Sequence, residues 1–303
     1  MAKSLEMLSG RFNCEIEHSV SKYLGREWKI SEIIQSTARA MHGAATFHGN
    51  GHSIFIKEGD NPFSHDQFIQ EACGLGHIRA NSPIATPDVI DVLHIDGITL
   101  LLMELIDAKP PEAKADWEVL GRGLATLHKT TRETCGLETH SYLGIFKQVN
   151  TQMDNWIDFF AQRRLMDSFK LAIEAKKISD EEILLVGNSL EKIINKLPEI
   201  TGPDQPFSLL HGDSWLANLL FDGKKLVMID CSIYYGNREM DISTIDFFCP
   251  VSDYLFGAYN ECYPIAHGYK DRENLWRINQ WLGHITLSAR YMPKLMDAMN
   301  CYL

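Results

Sequence analysis

The sequence has no C-x-x-C pair, and its seven cysteines are odd in number and scattered along 303 residues. That spacing excludes a zinc ribbon and argues against a disulfide framework; it fits reduced thiols in a cytoplasmic protein. Basic runs are scarce too, none longer than the pairs Arg163-Arg164 and Lys176-Lys177, and the formal charge is −11. A nucleic-acid surface needs clustered Lys and Arg for counterion release, so no nucleic-acid partner is expected. The longest apolar stretch, "ITLLLMELI", is interrupted by Glu104 and is far too short to cross a bilayer. The opening "MAKSLEMLSGRFNCEIEHS" has no apolar h-region, so neither a secretory signal nor a membrane anchor is expected. Internal repeats and low-complexity linkers are lacking as well. What is present is a composition of ordinary globular kind, 45% hydrophobic and 23% charged, in a chain long enough for two core-bearing units.

The first hundred residues read mostly as short strands. "AATFHGNGHSIFIKEG" holds two strand-like runs around Asn50-Gly51, a dipeptide suited to a tight hairpin turn. In the second run, alternation puts Ile54 and Ile56 on one face and Phe55 and Lys57 on the other. "SHDQFIQEACGLGHIRA" then reads as a helix, and "PDVIDVL" with "ITLLLMELI" as a second strand pair turning at Asp96-Gly97. Beyond Pro110 long helical patterns take over. Trp117, Leu120, Leu124 and Leu127 form one apolar stripe, and "NTQMDNWIDFFAQRRLMDSFKLAIEA" is similar. A further helix opens with Ser179 three residues before Glu182, the capping-box spacing, and is expected to stop at Pro198. The expected architecture is α+β and bilobal. A strand-rich unit with one helix spans residues 1–104, and a larger helical unit carrying one hairpin spans 105–303.

"LLHGDSWLANLLFDGKKLVMIDCS", residues 209–232, sets acids among strongly apolar flanks. Unpaired carboxylates are expensive to bury, so Asp213, Asn218 and Asp230 either sit at exposed strand ends or converge on positive charge. A hairpin turning at Asp222-Gly223 returns Asn218 and Asp230 to the same side. An Asn oxygen beside a carboxylate suits Mg²⁺, a hard cation preferring oxygen ligands. Asp213, one loop away, is then placed to accept a proton from a hydroxyl, the layout of phosphoryl transfer. That layout needs a cation for nucleotide phosphates. Lys57 ends a strand and Glu71 follows fourteen residues later on the next helix, the spacing of a strand lysine aimed by a helical glutamate. Glu104 and Leu105, inside "LLMELID", fall where a hinge would offer backbone groups to adenine. Taken singly, each residue has a plainer reading: a solvated lysine, a surface glutamate, a hairpin aspartate, or, for His211, a satisfied core histidine. The ordered set is what points to chemistry.

"HGDSWLAN" resembles the H-G-D-x-W-x-x-N motif of the fructosamine kinase (ketosamine 3-kinase) family of the protein-kinase-like superfamily. "LATLHKTT", "QVNTQMDNWIDFFAQRRL" and "YYGNREMD" resemble further family segments, and the similarity runs from about residue 17 to 290. Aminoglycoside and choline kinases share the His-Gly-Asp and the Asn, whereas a Trp at position 215 is typical of fructosamine kinases. The resemblance implies ATP as phosphoryl donor, Asp213 as catalytic base, Asn218 and Asp230 on Mg²⁺, and Lys57, held by Glu71, on the ATP phosphates. It implies phosphorylation of the third-carbon hydroxyl of a small-molecule or protein-linked ketosamine. Trp215 reads either as a floor for the sugar or as packing for the loop; His211 and His284 are further acceptor-side candidates. The phosphate loop departs from the pattern, with Thr37-Ala38 where the family carries a Gly-Gly pair. Either Ala38 is small enough for close backbone approach, or Arg39 supplies charge instead, or nucleotide affinity is poor. A degenerate, weakly active nucleotide-binding member and another small-molecule kinase are the alternative readings. Asp230-Cys231-Ser232 replaces Asp-Pro-Ala, and Asn237 replaces a histidine.

Overall fold

The computed structural model describes residues 5–36 and 42–303, so Ala38 and Arg39 lie outside the described residues. Strands β1 (Glu32–Gln35), β2 (Gly43–Gly49), β3 (His52–Gly59), β4 (Val89–Ile95) and β5 (Ile98–Glu104) form an antiparallel sheet in the order β1-β2-β3-β5-β4. Both expected hairpins are present. Asn50 and Gly51 have φ of 36° and 74°, and Asp96 and Gly97 have 50° and 80°. Positive φ at both central residues matches the right-handed twist of the flanking strands. Strand alternation also falls as the pattern predicts: Ile54 and Ile56 are fully buried with Phe47, Leu100 and Leu102 in a core on one face. Phe55 and Lys57 point to the other face, toward α2 (Ser64–Asn81) and the cleft.

A second helix in this part, α1 (Asn13–Leu24), corrects the expectation of a single one. Phe12, Ile16 and Val20 recur at four-residue spacing and are buried against the sheet, a helical signal within a segment that carries no other.

The helical part begins with α3 (Lys114–His128), whose Leu120, Leu124 and Leu127 are fully buried. The segment after it is helical only from Trp156: α4 (Trp156–Phe159), a π-helical turn over Phe160–Met166, and α5 (Asp167–Glu174). Helix α6 (Asp180–Ile200) starts at the Ser179 capping box but runs through Pro198 instead of stopping there. Proline removes one N–H, and in the last turn that loss is tolerated because Thr201 N donates to the Leu197 carbonyl (3.0 Å) and Leu197 is fully buried.

Strand β9 (Phe207–Leu210) lies between β6 (Thr131–Arg132) and β12 (Tyr234–Gly236). The hairpin of β10 (Leu219–Phe221) and β11 (Leu226–Met228) turns at 222–225, as its Asp-Gly dipeptide predicts. A second hairpin, β7 (Ser141–Leu143) with β8 (Phe146–Gln148), has no counterpart in the sequence reading. Four more helices complete the chain: α7 (Glu239–Ile242), α8 (Asp253–Cys262), α9 (Tyr269–Leu287) and α10 (Met292–Asn300). The whole is a bilobal α+β fold, and none of its described helices is long and apolar enough to cross a membrane.

Candidate active site

Lys57 projects from β3 into the cleft, where its ammonium donates to Glu71 Oε1 on α2 (2.7 Å) and to Asp230 Oδ1. Asp230 is 173 residues away along the chain, so this triad ties the sheet to the segment after the β10–β11 hairpin. The hairpin acts as foreseen: Ile229 N donates to the Asn218 carbonyl (3.2 Å), which brings Asp230 beside Asn218. Asp230 itself is left-handed, with φ of 54°, an uncommon conformation that Asp tolerates better than most residues.

Asp213 stands on the loop after β9. Gly212 there has φ of 81°, and a Cβ on it would lie 2.0 Å from the Ser232 carbonyl, so only glycine fits between the two strand ends. The loop is held from beneath by Asp241, which accepts from the amides of His211 (2.7 Å) and Gly212 (2.9 Å) and from His128 Nε2 (3.1 Å). Asn218 Nδ2 donates to the Asp213 carbonyl (2.9 Å) and to its Oδ2 (3.1 Å). The amide nitrogen is thereby engaged, so the amide oxygen is the atom Asn218 has left for a hard cation.

Charge in the cleft is unbalanced. Among the described residues, Glu71, Asp213 and Asp230 face a single ammonium. Burial works against the charge on Lys57, yet the Asp230 and Glu71 carboxylates hold its proton well above the usual lysine range. The surplus falls on the acids: burial, then the negative charge of Asp230, pushes Asp213 up to about 7. Burial also takes Glu71 up to about 7, with Lys57 opposing and Asp230 reinforcing the rise. A dication near Asp230 and Asn218 would relieve both, and the donor set therefore fits Mg²⁺. Among the described residues no group of three or more His, Cys, Asp or Glu side chains could hold a metal alone. Mg²⁺ is commonly held by one or two carboxylates together with substrate phosphates, and Asp230 with the Asn218 amide oxygen offers donors of that kind.

These residues line one cavity of about 390 Å³. On one side Ala44, Phe55 and Ile229 offer apolar surface; on another stand Trp215, Phe248 and His284. Trp215 meets Phe248 edge-on at 5.0 Å, and Phe248 lies 5.4 Å from the His284 ring. His284 Nδ1 donates to the Gln280 carbonyl (2.7 Å), which leaves Nε2 as an acceptor. Two polar side chains of the cavity wall, His42 and Gln67, interact with each other: burial, then the Lys57 charge, pushes the His42 ring below the ordinary histidine value, and Gln67 opposes that shift.

The structure thus brings Lys57, Glu71, Asp213, Asn218, Asp230, Trp215 and His284 to one cleft. It does not bring His211 there. That ring is fully buried, with Nε2 donating to the Ile229 carbonyl (2.8 Å) and Nδ1 accepting from Asp213 N (3.2 Å), so it shapes the loop from inside. Glu104 and Leu105 also lie off the cavity wall, and the Glu104 amide already donates to the Asp88 carbonyl (2.8 Å). Sequence reasoning missed His42, Gln67, Phe248 and the 141–148 hairpin as cleft residues. No local pattern marks them; they are gathered by tertiary contact alone.

Known proteins place this architecture. A Thermobifida fusca structure assigned as a fructosamine-3-kinase superposes with a TM-score of 0.81 at 25% identity, covering 95% of this chain and 98% of the other. An aminoglycoside phosphotransferase, in ternary complex with ADP and hygromycin B, shares the fold with a TM-score of 0.63 at 15% identity over 95% and 98% of the two chains. Among curated sequences, the chloroplastic protein-ribulosamine 3-kinase of Arabidopsis thaliana is 27% identical over 92% of this chain and 85% of its own. A Vibrio parahaemolyticus protein assigned as a ketoamine kinase is 25% identical over 94% and 97%. The family model described as fructosamine kinase matches residues 13–303. With that match spanning the sheet, the cleft and the helices behind it, the chain belongs to the fructosamine kinase family, a family of ATP-dependent phosphotransferases.

Proposed function

We propose that the protein transfers the γ-phosphoryl group of ATP to the third-carbon hydroxyl of a ketosamine, a fructosamine or ribulosamine, carried on a small molecule or on a protein. The observation that carries this reading is the convergence of Lys57–Glu71 with Asp213, Asn218 and Asp230 in one cleft whose other wall is aromatic. Residues 1–104 would form the nucleotide-binding lobe and 105–303 the lobe carrying the base and the acceptor. Lys57, aimed by Glu71, binds the phosphates. Asp213 takes the proton of the acceptor hydroxyl as its oxygen bonds to the γ-phosphorus; the bond to the β,γ-bridging oxygen breaks and ADP leaves. Asn218 and Asp230 would hold Mg²⁺, which offsets charge on the phosphate oxygens when bound. Trp215 and His284 flank the sugar. With all seven cysteines free, the protein suits a reducing compartment such as the cytoplasm.

The test is incubation with Mg²⁺, ATP and a fructosyl- or ribulosyl-amine, followed by ³¹P NMR. The expected product is a phosphomonoester on the third carbon of the ketosamine. Turnover on an aminoglycoside with none on any ketosamine would overturn the acceptor assignment.

A further inference from the structure

The β7–β8 hairpin touches both halves of the site. On one side it holds the first turns of α2: Gln67 Nε2 donates to the Gly144 carbonyl (2.7 Å), and Asp66 Oδ2 accepts from the Tyr142 hydroxyl (2.6 Å) and from Lys147 Nζ (3.0 Å). Gln67 precedes Glu71 by four residues, so the two share one face of the helix. On the other side the hairpin holds the segment after Asp230. Ser232 Oγ donates to Ser141 Oγ (3.0 Å) and to Gln148 Oε1 (3.1 Å), and all three side chains are buried. Asn150 extends the link, donating to Ser141 Oγ (3.1 Å) and the Ile233 carbonyl (3.2 Å) while accepting from Arg164 (2.7 Å). The hairpin's own Leu143 and Phe146 line the cleft.

We propose that this hairpin is a brace fixing α2, and with it the Lys57–Glu71 pair, against the Asp230 segment, with Asp66, Gln67 and Ser232 as positioning residues. In protein kinases the lysine–glutamate pair must be in place for transfer, and phosphorylation of a long activation loop controls that placement. Here only Cys231, Ser232 and Ile233 separate Asp230 from β12, which leaves no such loop, and the brace does the work permanently. Ser232 thereby gains a role at a position where the family pattern has alanine. Because Leu143 and Phe146 face the cleft, a ligand packed on them steadies the brace, so acceptor and nucleotide should strengthen each other's binding equally.

The consequence for rate rests on the kinase reading above; the brace itself does not, and the experiment separates the two. Hydrogen exchange across residues 64–81 is compared between the full-length protein and its Asp66→Ala, Gln67→Ala and Ser232→Ala variants. Asp66 is only half-buried on the outside of α2, so its variant keeps the test open if a buried change prevents folding. Expected are faster exchange in α2, a kcat lower by roughly ten- to hundred-fold from misplacement, a raised KM for ATP, and recovery in Asp66→Asn, whose amide oxygen still accepts from Tyr142. Wild-type exchange in all three variants overturns the brace whether or not a ketosamine is turned over. If the wild type proves inactive on ketosamines while α2 exchange rises in the variants, the brace stands and the acceptor assignment fails.

Discussion

Two sets of carboxylates, Glu239 and Asp241 in the core and Glu71, Asp213 and Asp230 at the cleft, differ in how fully their oxygens are satisfied. Glu239 and Asp241 are surrounded by donors. Arg272 grips Glu239 through Nε (2.9 Å) and Nη2 (2.7 Å), Trp276 Nε1 adds a third bond (2.8 Å), and Gln205 a fourth (3.2 Å). Asp241 takes two backbone amides and the His128 ring. Burial opposes its charge, yet the His128 bond, with the nearby histidines, holds it below the usual carboxylate range. Among the described residues Glu71, Asp213 and Asp230, by contrast, share one lysine and one asparagine amide, and two of the three are pushed up to about 7. The satisfied set is scaffold; the unsatisfied set faces a cavity and waits for cationic and polar ligands. The unbalanced charge of the second set faces a cavity that could admit a dication.

Removing members of each set should separate these roles. The largest effect is expected from Asp213→Asn, which deletes the proposed base: phosphoryl transfer in single-turnover assays should fall by about 10²–10⁴-fold. Nucleotide affinity should stay within a few-fold. Because it removes a carboxylate repelled by Asp230, the same variant should melt no lower than the wild type, an outcome opposite to ordinary core damage. Next is Asp241→Ala, which strands the His211 and Gly212 amides and the His128 ring. Breaking a buried hydrogen-bonded charge costs about 3–5 kcal/mol, read as a loss of stability in denaturant titration, with activity lost through the loop it holds.

Acidification gives a smaller test of the scaffold. Burial pushes the His128 and His211 rings below the ordinary histidine value of 6.5. Below that pH the unfolded chain takes up protons that the folded chain refuses, so stability is full above about 6.5 and declines as pH falls toward the depressed values. Asp213 and Glu71, both raised to about 7, take up protons over the same range and offset this loss in a melting curve. The rings are therefore read directly: in NMR titration His128 and His211 should stay neutral at a pH where a free histidine is mostly protonated, and ordinary titration would remove their neutral, buried state. The smallest effect is expected from Trp215→Phe, a few-fold rise in acceptor KM at nearly unchanged kcat, since a smaller ring still covers the sugar.

Much of this was legible along the chain. The Asn50-Gly51 and Asp96-Gly97 turns, the alternation that faces Lys57 into the cleft, the Ser179 cap and the hairpin joining Asn218 to Asp230 all depend on local rules. What was not legible depends on distant partners. His211 looks like a site residue in its motif, and only the Ile229 carbonyl and the Asp213 amide reveal it as internal support. Pro198 reads as a stop until the buried Leu197 and the bond from Thr201 are seen to carry the helix past it. The 141–148 hairpin is short, with three residues per strand, and owes its place to Asp66, Gln67 and Ser232 rather than to propensity. Helix α1 was the exception, because its four-residue apolar spacing was there to be read.

We propose that the surplus negative charge around Asp230 and Asn218 is the seat of a dication that brings ATP into the cleft. Calorimetric titration of ATP into the wild type and into Asp230→Ala, each with and without Mg²⁺, tests it most directly. The account predicts tight binding only for the wild type with Mg²⁺, and for the variant a loss of that Mg²⁺ dependence. An ATP isotherm in Asp230→Ala that responds to Mg²⁺ as the wild type does would contradict it.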